Sequence, residues 1–161
     1  AYVRLKQAGA SYQGWTSNQG QIQFLLDAGT YSVLVQKSGY EPYSGAVEVS
    51  GDVEQNIVLN PLTIPESDPG FITVYSYCYT KDGDPEPNVE IQCQIVYVPG
   101  HGKIMNPSVR SALSNATGLV VFDNLIPGAR YKFKRHTAME WIPITIPPTA
   151  TSPYELISFV S

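Results

Sequence analysis

The sequence predicts an all-β protein built from two tandem antiparallel β-sandwiches. One phrase, a polar turn, a short apolar run, a second turn and an alternating strand, occurs twice, at residues 16–35 and 114–134. No window carries an apolar period of 3.6 residues long enough for a helix. Hydrophobic residues make up 43% of the chain, which is too many for a disordered segment. Repetition of a strand-turn-strand unit indicates two copies of one β domain.

Proline residues set the predicted domain boundaries. Pro61, Pro65 and Pro69 lie between the two repeats, and proline cannot donate a hydrogen bond to a strand ladder. We therefore predict a first sandwich over residues 1–62, a stiff extended linker over residues 63–70 and a second sandwich over residues 71–161. Because the sequence starts abruptly in a predicted strand, we expect it to be a piece of a longer protein.

Alternating apolar and polar residues between Gly-, Ser-, Asp- and Pro-rich turns define the predicted strands. In the first unit these strands cover residues 2–6, 21–26, 31–36, 46–49 and 56–59. In the second unit they cover residues 71–80, 89–95, 119–122, 131–134, 141–146 and 154–160. Pro127 and Gly128 predict a hairpin-type corner in the repeated phrase. Residues 99–111 form an insertion without a counterpart in the first unit.

Charge and hydropathy exclude two classes of partner. The chain carries a formal net charge of −4, and residues 71–161 hold seven basic and seven acidic side chains. Without a basic field, nucleic acid is not an expected partner. Without an apolar run of about 18 residues, membrane insertion is not expected. The charged fraction of 15% lies below the average of roughly 25% and is typical of extracellular, cell-surface or virion sandwiches, the localisation that we predict.

The second unit carries an Asp82-Gly83-x-Pro85 turn that leads to Val89, then Gly118 and Phe122, and a corner with Leu125, Pro127, Gly128 and Tyr131. With these residues it resembles the carboxypeptidase regulatory-like, or transthyretin-like, family. The resemblance implies two Ig-like (prealbumin-like) sandwiches in tandem, a fold that hosts many functions. In the second unit the matching positions are Asp82, Gly83, Pro85, Val89, Gly118, Phe122, Leu125, Pro127, Gly128 and Tyr131. In the first unit they are Thr16, Gly20, Phe24, Ala28, Gly29, Thr30, Tyr31, Gly39 and Tyr40. Residues 141–160 are also weakly similar to the ends of sandwich domains in phage virion and tail proteins.

Two activities of such relatives can be compared with this sequence. Pilin-type relatives join a Lys to an Asn through an isopeptide bond formed beside a buried acid. Lys6 and Asn56 suit the first two roles, but Val35 stands where the acid is required, so no isopeptide bond is expected. Hydroxyisourate hydrolases need a Tyr-Arg-Gly-Ser terminus, and residues 158–161 read Ser-Phe-Val-Ser, so we do not expect that enzyme.

Catalytic, metal and cofactor sites are not predicted. His101 and His136 are far apart, and no nucleophile elbow, zinc motif or phosphate loop is present. Asp82, Asp84 and Glu86 could contribute to a calcium loop, but a plain Asp-Gly turn is favoured because too few oxygen ligands are nearby.

Two cysteines, Cys78 and Cys93, are predicted to be buried on neighbouring strands. Free thiols are favoured over a disulfide, which stays open as an alternative.

Aromatic and basic residues near loops are the candidate ligand contacts, since Trp, Tyr and Arg are enriched where proteins bind partners. The candidates are Trp15, Tyr12, Tyr43, His101, Met105, Arg110 and Trp141. Arg130, Lys132 and Lys134 are interpreted as the solvent face of a strand, with an anionic-ligand stripe as the alternative. Asn115-Ala116-Thr117 is a glycosylation sequon in a eukaryotic secretory source and otherwise a turn.

Two functional hypotheses follow. In the first, the chain is a non-catalytic structural and interaction module, a spacer or display unit of a larger cell-surface, secreted or phage virion protein. Its partners would be neighbouring domains or subunits of its own assembly, a surface polysaccharide or a host protein, with residues 99–111 as the contact. In the second, it is a carbohydrate-binding accessory module of a secreted hydrolase or adhesin. That hypothesis requires exposed, coplanar rings among Trp15, Tyr12, Tyr40, Tyr43 and Trp141.

Overall fold

Two compact β units make up the chain. A computed structural model describes residues 1–160, where it contains thirteen β-strands and no helix. The chain divides into Ala1–Thr63 and Ile64–Ser161. The predicted all-β class is confirmed. Within residues 1–160, no helix is long and apolar enough to cross a membrane.

The first unit contains one four-stranded antiparallel sheet. Its strands are β1 (Tyr2–Gln7), β2 (Ala10–Trp15), β3 (Gly29–Gln36) and β4 (Tyr43–Val49). Their order in the sheet is β2-β1-β3-β4. Alternation of side chains along β1 and β3 directs one face of the sheet to the core. The buried core residues of this face are Val3, Leu5, Tyr31, Val33 and Val35.

Two extended segments cover that face without joining the sheet. The predicted strands at residues 21–26 and 56–59 are wrong, because neither segment pairs with a neighbour in a ladder. Their alternate side chains nevertheless pack on the core: Ile22, Phe24, Leu26, Ile57 and Leu59. The second layer of the first sandwich is therefore held by apolar contact rather than by strand pairing.

The second unit is a sandwich of two hydrogen-bonded sheets. Its strands are β5 (Ile72–Tyr79), β6 (Glu90–Val98), β7 (Gly102–Lys103), β8 (Val109–Leu113), β9 (Leu119–Leu125), β10 (Arg130–Arg135), β11 (Ile142–Thr145), β12 (Tyr154–Glu155) and β13 (Phe159–Val160). One sheet has the order β11-β10-β6-β7, and β8 also pairs with β6. In the other sheet, β5 lies between β9 and the two short strands β12 and β13. β12 and β13 run parallel to β5.

The repeated phrase forms a corner between the sheets. The predicted hairpin is wrong, because β9 pairs with β5 whereas β10 pairs with β6 and β11. The hydroxyl of Tyr131 accepts a hydrogen bond from the backbone N–H of Ile126 at 2.9 Å. In the first unit, the hydroxyl of Tyr31 donates to the carbonyl of Asp27 at 3.0 Å. The tyrosine of each copy therefore fixes the turn that precedes it.

The predicted linker is hydrogen-bonded to the second unit. Thr73 Oγ1 donates to the carbonyl of Pro65 at 2.8 Å. The backbone N–H of Asp68 donates to Asn124 Oδ1 at 2.8 Å, and the N–H of Asn124 donates to Ser67 Oγ at 2.9 Å. Residues 65–68 are thus anchored on the strands that follow them.

The end of the first unit is anchored as well. The backbone N–H of Leu62 donates to the carbonyl of Gly39 at 2.9 Å, and Tyr40 forms a β-bridge with Pro61. Two residues, Thr63 and Ile64, lie between this anchor and the carbonyl of Pro65. The covalent connection between the anchored parts is therefore short.

Candidate functional site

The predicted ligand residues of the first unit separate into core and surface. Tyr12 packs edge-on against Tyr31, with 6.0 Å between ring centroids. Tyr43 also packs against the core of the first unit. Trp15, in contrast, is 75% exposed. These three candidates therefore do not form one surface.

Trp15 lies on the face of the sheet that points away from the core. It is opposite Tyr2 in the β1–β2 register, and the two rings meet edge-on at 5.5 Å. The hydroxyl of Tyr2 donates to Gln13 Oε1 at 2.7 Å. The ring of Tyr2, which is half-buried, thus lies at 60° to the plane of the Trp15 ring. The two rings are not coplanar.

Arg110 joins the two sheets of the second unit. It lies on β8 opposite Cys93 of β6, and its Nη1 donates to the carbonyl of Asp123 on β9 at 2.8 Å. Its Nη2 also pairs with the Asp123 carboxylate. A two-point Arg–Asp contact fixes orientation as well as distance, so Arg110 closes the open side of the sandwich between β8 and β9.

His101 and Met105 are exposed on the predicted insertion. The backbone N–H of His101 donates to Val98, and that of Ile104 donates to Val96, each at 3.1 Å. Gln94 Nε2 donates to the carbonyl of Pro107 at 2.7 Å. The insertion therefore follows the edge of β6, contributes β7 and leads into β8.

Trp141 lies beneath two lysines. Lys132 Nζ is 4.7 Å and Lys134 Nζ 5.0 Å from the Trp141 ring centroid, distances at which a cation is attracted to the ring face. Together with Arg130 these lysines occupy the side of β10 that points away from the core. We name Arg130, Lys132, Lys134 and Trp141 the lysine–tryptophan face.

The residues directly opposite the lysines of this face are neutral. Lys132 lies opposite Gln94 on β6 and Pro143 on β11, and Lys134 lies opposite Gln92. Glu90 of β6 has its carboxylate 3.6 Å from His136 Nδ1. Sequence reasoning identified the basic stripe and Trp141 separately. It could not bring them together, because the register of β11 on β10 is not visible in the sequence.

A partly buried polar cluster, missed by sequence reasoning, lies at one end of the same sheet. Arg135 Nη2 donates to Glu86 Oε1 at 2.8 Å. Ser114 Oγ donates to the carbonyl of Glu86 at 2.7 Å and accepts from the N–H of Val89 at 2.9 Å. Within residues 1–160, Glu86 Oε2 and Arg135 Nη1 have no hydrogen-bond partner. These contacts fix the loop before β6.

The cysteines lie in facing sheets. Cys78 is on β5 and Cys93 on β6, so their predicted placement on neighbouring strands is wrong. Both are buried free thiols. Burial raises the pKa of Cys78, and it raises the pKa of Cys93 to about 12. A thiol that stays protonated at neutral pH is a poor nucleophile and a poor metal ligand.

Other candidate sites serve as turns. Across residues 1–160, no three His, Cys, Asp or Glu side chains are grouped so as to hold a metal ion. In the Asp82–Asp84 turn, the N–H of Gly83 donates to the carbonyl of Thr80 and the N–H of Asp84 to Thr80 Oγ1. Asn115 Oδ1 accepts hydrogen bonds from the sequon's own Thr117 and so closes the turn before β9.

Comparison with known proteins gives a partial family match. The model of the PEGA domain family matches residues 22–63, within the first unit. No curated protein matches the chain by sequence. The resemblances to carboxypeptidase regulatory-like and phage virion domains therefore stay predictions.

Several solved structures are similar at low identity. The full-length major pilin SpaD from Corynebacterium diphtheriae has 13% identity and a TM-score of 0.43, over 56% of this chain and 29% of SpaD. The Bacillus anthracis TIE protein has 17% identity and a TM-score of 0.35, over 99% of this chain and 30% of TIE. A C-terminal fragment of the pilus adhesin SpaC from Lactobacillus rhamnosus GG has 13% identity and a TM-score of 0.35, over 92% of this chain and 73% of the fragment. The chain spans less than a third of the length of SpaD and of TIE.

Proposed function

We propose that this chain is a non-catalytic structural and display module of a larger cell-surface or secreted protein. The observation that supports this proposal most strongly is the anchored connection between the two units. Hydrogen bonds at Leu62 and Pro65 leave Thr63 and Ile64 as the link. A two-residue link without Gly lacks the flexibility of Gly- and Ser-rich linkers. A link of this kind suits a spacer within a longer chain.

The use of polar side chains supports the same proposal. Arg110, Glu86 and Arg135 fix loops and sheet edges of the second unit, and the two core thiols are held protonated by burial. Catalysis generally requires a nucleophile and a base within hydrogen-bond reach of a cleft. These residues instead contribute to the scaffold of the second unit.

Distance measurement between the units tests the spacer role. Spin labels on Ser50→Cys and Thr149→Cys, both exposed positions, report the distribution of distances between the units. We expect one narrow distribution, because the link is short, and a broad one after eight Gly and Ser residues are inserted between Thr63 and Ile64. A native distribution as broad as that of the insertion variant would contradict the spacer role.

A second candidate function is contact with an acidic polysaccharide through the lysine–tryptophan face. Sugar stacking on coplanar aromatic rings is not favoured, because Tyr12 and Tyr43 pack in the core. Cations on one side of β10 recur about every 7 Å, and the residues opposite Lys132 and Lys134 are neutral. Because this face is basic in a chain of net charge −4, charge complementarity favours an anionic chain.

Binding to immobilised polygalacturonate tests this second function, with neutral dextran as the control. We expect salt-sensitive binding that falls at least fivefold in Lys132→Gln/Lys134→Gln. The matched variant Lys37→Gln/Lys81→Gln removes the same charge elsewhere and should bind like the native chain. Equal losses in both variants would reduce the effect to net charge and overturn the assignment of the face.

A further inference from the structure

The first and last strands of the second unit lie side by side and parallel. Tyr154 is opposite Val74 and Val160 is opposite Tyr79 in the registers of β12 and β13 on β5. The chain therefore enters this ladder at one end, at Ile72, and leaves it at the other end, at Val160.

Residues 154–160 also stay attached to β5 in the stretch between the short strands β12 and β13, through hydrogen bonds and core contacts. The backbone N–H of Leu156 donates to the carbonyl of Tyr75 at 2.8 Å, and Ser76 Oγ donates to the carbonyl of Ile157 at 2.5 Å. Leu156 and Phe159 are buried in the core of the second unit. The contact is thus continuous in space although the strand is interrupted.

We infer that the second unit is a tension-bearing element. Tension applied through its two ends pulls β5 and residues 154–160 in opposite directions along their axes, because the ladder is parallel and the ends leave it on opposite sides. All hydrogen bonds between them, and the buried Leu156 and Phe159, must then give way together. The inference extends the proposed function, because a spacer within a longer chain carries tension through its ends.

The first unit has the opposite arrangement. Its first strand starts beside Gln36, since Tyr2 and Gln36 are opposite each other in the β1–β3 register. Its last bonded residue, Leu62, is tied to Gly39 in the loop after β3, at the same end of the sheet. Tension applied at Ala1 and Leu62 acts at that one end, so it separates β1 from its neighbours pair by pair, starting at Tyr2. We expect the first unit to yield at lower force.

Single-molecule pulling of the whole chain through handles at its two ends tests the inference. We expect two steps: first the release of roughly 20 nm from the 63 residues of Ala1–Thr63, then roughly 30 nm from the 98 residues of Ile64–Ser161. The second step should need at least twice the force, because the parallel ladder must break all its hydrogen bonds together whereas β1 separates from its neighbours pair by pair. Forced unfolding reports this unfolding barrier rather than equilibrium stability. A longer step that comes first, or at equal force, would overturn the inference.

Two buried serines provide a matched pair of variants. Ser76→Ala removes a hydrogen bond between β5 and residues 154–160, whereas Ser114→Ala removes hydrogen bonds to Glu86 and Val89, outside that contact. We expect Ser76→Ala to lower the unfolding force of the long step by about a third, with little change in the denaturant midpoint. We expect Ser114→Ala to lower the denaturant midpoint and to leave the unfolding force unchanged. An equal fall in unfolding force in both variants would contradict the inference that the contact between β5 and residues 154–160 bears the tension.

A change of pulling point tests the geometry without altering the core. The C-terminal handle is moved to Thr151→Cys, an exposed position before Tyr154. Tension then acts at the Val74 end of the ladder between β5 and residues 154–160 and opens it one pair at a time. The long step should then occur at less than half the end-to-end force. An unchanged unfolding force would overturn the inference that the second unit is a tension-bearing element. That result would leave the spacer role, which the distance measurement tests, unaffected.

Discussion

Arg135 and Glu86 form an ion pair of 2.8 Å in which the arginine side chain is 13% exposed and the glutamate side chain 28% exposed. The pair joins the end of β10 to the loop before β6. Removal of one partner leaves the other charge in a poorly solvated place, which is more costly than replacing both by neutral groups.

We predict that Arg135→Met lowers the free energy of unfolding by about 2 kcal/mol. That is less than the 3–5 kcal/mol of a fully buried pair, because water reaches Glu86. The double variant Glu86→Gln/Arg135→Met should recover part of the loss. Urea denaturation of the two single variants and the double variant gives the coupling, and a coupling near zero would show that the pair contributes nothing.

Gly118 permits close approach of two strands. Its φ is +77°, and a Cβ there would lie 2.5 Å from the carbonyl oxygen of Cys78. Gly100 has nearly the same φ, +78°, with no atom within 4 Å of a built Cβ. Gly100→Ala should therefore cost about 1–2 kcal/mol for backbone strain alone, and Gly118→Ala at least twice as much. Denaturant midpoints that agree for the two variants would refute the close-contact explanation.

Asn124 combines a left-handed backbone with an anchor for the preceding segment. Its φ is +51° and its Oδ1 accepts from the N–H of Asp68. In Asn124→Gly and Asn124→Ala alike, the amide of Asp68 should exchange with solvent faster, at least tenfold. Only Asn124→Ala should also lose about 1–2 kcal/mol of global stability, because alanine is strained in this conformation. Protection of Asp68 that persists in both variants would contradict the anchor.

Cys93 should make the second unit sensitive to alkali. Because burial raises its folded pKa to about 12 from 9.0, the unfolded chain releases the thiol proton first. The stabilisation is complete below pH 9 and is lost as the pH rises toward 12, on the order of 1 kcal/mol near pH 10. The slope of stability against pH above 9 should be smaller in Cys93→Ala than in Cys78→Ala or the native chain. Rapid reaction of the native Cys93 thiol with a disulfide reagent at pH 8 would contradict this burial.

The strands of the second unit were largely predictable because alternation and turn residues coincide there. The same signals misled at residues 21–26 and 56–59. Alternation of Ile22, Phe24 and Leu26 reports that one side of an extended segment is buried, and it does so whether or not the backbone pairs with a neighbour. In these two segments the sequence pattern therefore located the buried side chains but not the hydrogen bonds, whereas the predicted strands at residues 2–6, 31–36 and 46–49 do pair in the sheet.

The candidate site was less predictable because it depends on which sheet each strand joins. Cys78 and Cys93 have the same inward pattern whether their strands are neighbours or lie in facing sheets. Arg110 is a plausible ligand residue in sequence, yet the structure directs it across the sandwich to Asp123. Likewise, Trp141 meets Lys132 and Lys134 only through the β10–β11 register.

The parallel partner of β5 also fixes the order in which the second unit can be completed during synthesis. Ser76 and Ile157 are 81 residues apart in sequence. At ribosomal rates this separation leaves one edge of β5 without its final neighbour for roughly 4 to 16 s. β9 can pair with the other edge earlier. For that interval the newly made chain presents an open strand edge, at which another copy of the protein could pair before its own C-terminal segment emerges.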